Sequence, residues 1–247
     1  MSDTGTKMLV INGSHRAEQG FTERVVQAFV QGAEAGKAGC EVLYPARQKI
    51  APCASCGKCL FETPGACRYH DDMDAIIAKM EAAELLLLAS PVYFDSMSSA
   101  LQKMIERLRP TFGPYFAFRE GRTYHLKSRE QQQKAVVIST AGNPERETFV
   151  SISRVFNRVV KSMGAQLVGE FYFPASHFMV SHPELLAGQL EAVTMAGKEF
   201  AADGSISREL LAQGNKEYVA DPERAVQGIS RMILEMRERY RLEQEDN

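Results

Sequence analysis

The sequence predicts a doubly wound α/β fold, a parallel sheet with helices on both faces, and three observations carry that prediction. Five short runs are predominantly apolar rather than strictly alternating, with Glu41 and Glu170 inside the second and fifth. Amphipathic stretches of about 10–20 residues separate them, the pattern of strands buried on both faces. The first run also ends in a Gly-Ser turn that opens a helix. A chain of 247 residues, 45% hydrophobic and 24% charged, has the size and composition for one large globular domain or a domain with an extension.

Lys7 to Asn12, KMLVIN, reads as a buried strand. Thr22, Val25, Val26, Phe29, Val30 and Ala33 then recur at three- and four-residue steps, a helical stripe that stops near Gly36 and Gly39. Cys40 to Tyr44 supplies the second strand. Asp71 and Asp72 are placed to cap a helix whose Met73, Ile76, Ile77 and Met80 share a face. Leu85 to Ala89 is the third strand, fully buried. Met97, Leu101, Met104, Ile105 and Leu108 line the next helix, and Pro110 ends it. Lys134 to Thr140 is the fourth strand. Its helix carries Phe149, Ile152, Phe156, Val159, Val160 and Met163 on one side and stops at Gly164. Val168 to Phe173 is the fifth strand.

Beyond Pro174 the pattern is wholly helical, with Leu186, Leu190 and Val193, then Leu210 and Leu211, then Ala225, Ile229, Met232, Ile233, Met236 and Tyr240. These stripes read as core and subunit contact. The expected organisation is therefore a domain over 1–174 and a helical extension over 175–247 packed on it. Tyr115 to Gln133 is polar and long for a loop, which suits a lid, an interface arm or mobile chain.

Charge and motifs exclude several classes. With 29 basic and 31 acidic residues, a net charge of -2 and no long run of either sign, the chain does not look built for nucleic acid. The first strand begins at Lys7, which leaves no room for a secretory leader, so a cytoplasmic protein is expected. The longest apolar run, Leu85 to Ala89, is far short of the ~20 residues that span a bilayer. Neither G-x-S-x-G nor H-E-x-x-H occurs, and the five histidines, His15 among them, read as structural or surface residues.

Doubly wound sheets bind ligands beyond the carboxyl ends of their strands, so the loops at 13–22, 90–97 and 140–147 are the candidates. In the first, Ser14 and Thr22 offer hydroxyls, Arg16 a charged fork, and Gly13 and Gly20 close backbone approach at a helix N-terminus, which favours an anion. The pattern is neither G-x-G-x-x-G nor G-x-x-x-x-G-K-[ST], which points to a terminal phosphomonoester rather than a pyrophosphate or triphosphate. In the second loop, Pro91 restrains the backbone, Tyr93 and Phe94 give planar apolar surface, and Ser96 or Ser98 can cap the next helix. The third, Thr140 to Pro144, presents backbone N–H groups to a ring edge.

Cys53, Cys56, Cys59 and Cys67 form C-x2-C-x2-C-x7-C within a loop at 52–70. Clustered thiols in a reducing compartment bind metal or do redox work more often than they form stable disulfides. Three readings stay open: a [4Fe–4S] cluster, metal-free thiols or disulfides, and zinc on four thiolates. Cys40 reads as a small buried residue.

Through VINGSHR, PCASCGKCLFETPGACRYHDDMDAI and LLLASPVYFDSMSSALQKMIER the chain resembles the flavodoxin-like NAD(P)H-dependent FMN reductases and, within them, the iron-sulfur flavoproteins. The resemblance covers Met8 to Arg109 strongly and continues more weakly to Phe173. It implies a five-stranded sheet of order 2-1-3-4-5. It also implies FMN with its phosphate on Ser14, Arg16, Phe21 and Thr22, its ring near Pro91, Val92, Tyr93 and Phe94, and Thr140, Ala141, Gly142 and Asn143 completing the pocket. His15 stands where the family usually has Pro, and Phe21-Thr22 where it usually has Asn-Thr. A [4Fe–4S] cluster would map onto the four loop cysteines, with NAD(P)H or a ferredoxin-like protein as electron donor and a flavin, quinone or similar small acceptor. The resemblance further implies a homodimer or homotetramer. A rival reading from another class is a non-catalytic redox-sensing module that binds a partner through its helical extension.

Overall fold

The computed structural model describes residues 6–119, 121–127 and 132–245. Five strands, β1 (Lys7–Asn12), β2 (Gly39–Leu43), β3 (Leu85–Tyr93), β7 (Lys134–Thr140) and β8 (Gln166–Phe173), form a parallel sheet in the order β2-β1-β3-β7-β8. This is the expected 2-1-3-4-5 order, with three small strands interpolated in the chain. The connection order reverses across the sheet between β1 and β3, and sheets of this kind take ligands at the loops after two such strands.

Side chains alternate across each strand, so one apolar run feeds two cores. Leu86 and Leu88 of β3 enter one cluster with α3 (Met73–Ala82), α4 (Ser99–Glu106) and α5 (Phe149–Ser162), while Leu85, Leu87 and Ala89 enter the other. That second cluster lies under α1 (Phe21–Ala35) and α7 (Ala187–Asp203), which supplies Val193, Ala196, Phe200 and Ala201. The helices α1 and α7 meet through glycines. A Cβ on Gly197 would lie 2.1 Å from the Phe29 carbonyl oxygen, and one on Gly32 would lie 1.7 Å from that of Thr194. Much of the predicted C-terminal stripe is thus core: Leu186 and Val193 are buried, and Leu190, Leu210 and Leu211 pack on the same cluster. Between and after them run α6 (Ser176–Ser181), α8 (Arg208–Gly214) and α9 (Pro222–Glu245). On α9, Ile233, Met236 and Tyr240 are exposed.

Two features differ from the sequence reading. The segment expected as a long loop over Tyr115 to Gln133 forms an antiparallel hairpin, β5 (Phe112–Arg119) and β6 (Arg122–Lys127), turning through the left-handed Gly121. Residues 120 and 128–131 of that segment lie outside the described residues. The hairpin holds Tyr115, Phe116 and Phe118 in solvent, so no burial signal marked it. The second difference is at the end of β3, which folds back on a two-residue strand, β4 (Ser96–Met97).

Candidate functional site

The first loop is fixed by buried polar groups. Gly13 donates its N–H to the Ala89 carbonyl at 2.7 Å, and a Cβ there would lie 2.8 Å from Leu101 Cβ. Asn12 is fully buried; its Oδ1 accepts the Ser14 N–H at 2.9 Å, and its Nδ2 donates to Glu23 at 2.7 Å. Gln27 and Tyr44 donate to the other Glu23 oxygen, so this buried carboxylate holds the amide that holds the loop. Ser14 is 3% exposed, its Oγ accepts the Arg16 N–H, and a Cβ on Gly20 would lie 2.5 Å from that oxygen. Gly20 thus lets the Ser14 hydroxyl pack against its backbone, where any Cβ would collide with it. Arg16 is exposed, Phe21 is half-buried, and Thr22 is buried in the first turn of α1. The Thr22 and Thr140 hydroxyls lie 2.8 Å apart.

The second loop stands beside it. Pro91 pairs in register with Thr140, Val92 with Met97, and Tyr93 with Ser96. The turn residues Phe94 and Asp95 both have positive φ, 47° and 59°, which for residues bearing a Cβ costs about 1 kcal/mol or more each. Phe94 is fully exposed and Tyr93 is 45% exposed. Ser98 ties the loops together: it donates to the Gly13 carbonyl and, as the N-cap of α4, accepts the Leu101 N–H. In the third loop Ala141 is buried and donates to the Phe173 carbonyl, while Asn143 is exposed, donating to Thr148 and accepting from the Ala175 N–H. Gly142 lies against the His177 ring, since a Cβ there would sit 2.8 Å from Cδ2.

The four loop cysteines line one cavity of about 560 Å³ together with Arg68, Tyr69, Arg107 and Arg109. None is in a disulfide. Among the described residues no three His, Cys, Asp or Glu side chains converge as ligands of a metal ion. The loop is closed at its base by Asp71, which accepts from the Ala51 and Met73 N–H groups and from both terminal nitrogens of Arg107. Asp72 accepts the Lys49 N–H. Of the two aspartates expected as helix caps, Asp71 accepts the Met73 N–H at the start of α3 whereas the Asp72 side chain caps no helix N–H, and both pin the base of the cysteine loop. The Lys58 N–H and Arg68 draw the Cys56 thiol below its ordinary pKa, whereas burial pushes that of Cys59 up.

The NADPH-dependent FMN reductase family matches this chain over residues 6–179, from the first strand of the sheet through its last and into α6. The chain belongs to that family. An iron-sulfur flavoprotein of Methanocaldococcus jannaschii is 38% identical over 104 residues, 42% of this chain and 52% of that protein. An iron-sulfur flavoprotein of Archaeoglobus fulgidus is 29% identical over 163 residues, 66% of each. The chain thus spans between about half and two thirds of the length of these curated relatives. The NAD(P)H:quinone oxidoreductase of Methanothermobacter marburgensis shares the fold, with a TM-score of 0.58 at 16% identity over 82% of this chain and 100% of that one.

In this FMN reductase family member three polar groups make contacts that the sequence reading did not assign: His15 and His177, read only as structural or surface residues, and Glu23. His15 stacks on Tyr93, ring centroids 5.9 Å apart and planes 19° apart, with Nε2 3.1 Å from Ser99 Oγ. Its place in the first loop, one residue after Ser14, was the available signal. Glu23 and His177 act through contacts 11 and 35 residues away along the chain, with Asn12 and Gly142, and no local pattern marks them.

Proposed function

We propose that the chain is an FMN-dependent oxidoreductase that passes electrons from NAD(P)H or a ferredoxin-like donor to a small acceptor such as a flavin or quinone. The observation that carries this reading is the turn at the end of β1, where the buried Ser14 packs on Gly20 at an N-terminus of α1 that no side chain caps, beside an exposed aromatic ledge of Tyr93 and Phe94. Ser14, Arg16, Phe21 and Thr22 would hold the phosphate, with Arg16 supplying charge. The Thr22–Thr140 contact would keep the phosphate end in register with the third loop. Pro91, Val92, Tyr93 and Phe94 would bear on the ring, and Thr140, Ala141, Gly142 and Asn143 on its edge. When bound, the flavin supplies hydride acceptance and electron transfer, so no side chain need act as acid, base or nucleophile.

The donor set of the second cavity, four thiols with arginines behind them, fits a [4Fe–4S] cluster at Cys53, Cys56, Cys59 and Cys67. The iron-sulfur flavoproteins to which this chain is similar favour a cluster over a single zinc ion there. Such a cluster would relay single electrons.

Two exposed elements, the aromatic β5–β6 hairpin and the apolar stripe of α9, would serve as contacts in a homodimer or homotetramer. Among the described residues no helix is long and apolar enough to cross a membrane. The test is anaerobic purification followed by flavin extraction, iron and sulfide analysis, and acceptor-dependent oxidation of NADH and NADPH. Stoichiometric FMN with turnover is expected. Protein that neither retains nor rebinds FMN would refute the reading.

A further inference from the structure

Arg107 and Arg109 line the cysteine cavity, and each keeps one buried nitrogen, Arg107 Nε and Arg109 Nη2, without a hydrogen-bond partner. Buried N–H donors left unpaired are costly, and folded chains seldom carry two of them in one place. Both terminal nitrogens of Arg107 and Nη1 of Arg109 do have partners. Arg107, 1% exposed, holds Asp71 and the Ala51 carbonyl, and its guanidinium lies 5.1 Å from the Tyr69 ring centre. Arg109 donates through Nη1 to the Phe112 carbonyl at 3.3 Å, which fixes the guanidinium at the rim of β5. Arg107 thus has its charge answered by Asp71, whereas Arg109 has no ion-pair partner among the described residues.

We propose that Arg109 sets the reduction potential of a cluster held by the four cysteines through its positive charge at the cavity wall, which already bears on Cys59, with Arg107 as the fixed wall behind. This rests on the cluster reading given under the proposed function. A four-iron core with four thiolates is a dianion, and reduction adds one electron, one negative charge and no proton. An adjacent cation stabilises the more negative state, so the potential rises. Arg109 is then a tuning residue, placed by Phe112 rather than by the loop it acts on.

The test uses the full chain, reconstituted anaerobically with iron and sulfide, and titrated with dithionite against mediators while the reduced cluster is followed by electron paramagnetic resonance. In Arg109→Leu the reduced-to-oxidised ratio at a fixed potential should fall tenfold or more, a midpoint lower by about 59 mV for one electron. Arg154→Leu, which removes an exposed charge on α5 outside the cavity, should leave the midpoint unchanged. If Arg109→Leu does not fold, Arg109→Gln is read by the same criterion. An iron-loaded variant whose ratio stays within twofold of the parent overturns the role of Arg109. A parent chain that binds FMN but no iron or sulfide overturns the cluster reading instead, and this proposal with it.

Discussion

Arg107 grips Asp71 through both terminal nitrogens, at 2.7 and 3.0 Å, across a side chain that is itself almost completely buried. The pair joins the C-cap of α4 to the end of the cysteine loop. The loop is thereby held as part of the core although its tip is exposed.

Asp71→Asn should therefore cost about 3–5 kcal/mol, because it leaves a buried guanidinium without its counter-charge, and urea denaturation measures the loss. Burial pushes the Asp71 carboxyl up, but Arg107 and the Ala51 and Met73 N–H groups outweigh it and hold the carboxyl below the usual range. A depressed native pKa means the contribution is fully present above the unfolded value of about 3.9 and is lost as pH falls through the native one. The parent should lose stability below about pH 4 more steeply than Asp71→Asn. Equal acid slopes would count against the assignment.

The left-handed Phe94 gives a second prediction. Glycine accepts that conformation without cost, so Phe94→Gly should stabilise the flavin-free chain by about 1 kcal/mol. The same change removes the fully exposed ring beside Tyr93 and should weaken FMN or slow turnover. Thermal unfolding of the flavin-free protein and a fluorescence titration with FMN read the two effects separately. A variant unchanged in both would remove the ledge from the argument.

At the phosphate end, Gly20→Ala puts a methyl group into the Ser14 hydroxyl, 2.5 Å away. Serine can turn aside, so stability should change by less than about 1 kcal/mol. The hydroxyl would no longer face the proposed phosphate site, and losing one hydrogen bond to a charged group weakens FMN binding by about tenfold or more. Riboflavin, which lacks the phosphate, should bind parent and variant alike. Equal loss for both ligands would place the effect elsewhere.

The sheet was legible because strands buried on both faces leave continuous apolar runs, as at Leu85 to Ala89, and because helical stripes mark one buried side. The β5–β6 hairpin was not, since Tyr115, Phe116 and Phe118 are exposed and no polar-apolar alternation survives. The β3–β4 hairpin was hidden by Phe94 and Asp95, where turns of that shape ordinarily carry Gly or Asn. At the proposed site, the places of Ser14, Thr22, Pro91, Tyr93 and Thr140 after strands were legible, and the structure puts them at the carboxyl end of the sheet. The Arg107–Asp71 pair could not, because its partners lie 36 residues apart and the cation occupies a helical position that reads as surface.

The C-terminal helices raise the last question, whether residues after Pro174 are appended to the fold or part of it. Alpha helix α7 lies on α1 with Gly197 against the Phe29 carbonyl, 2.1 Å from where a Cβ would be. Backbone cannot yield as a side-chain tip can, so Gly197→Ala must push the helices apart. The expected cost is about 2 kcal/mol, the overpacking penalty of about 1–3 kcal/mol less some gain in helix propensity. Gly188, on the same helix, has open space where its Cβ would stand, so Gly188→Ala should gain up to about 1 kcal/mol. Opposite signs in one unfolding transition would mean that α7 folds with the sheet. Two separate transitions, with only the weaker one moved by Gly197→Ala, would mean that it is an appendage.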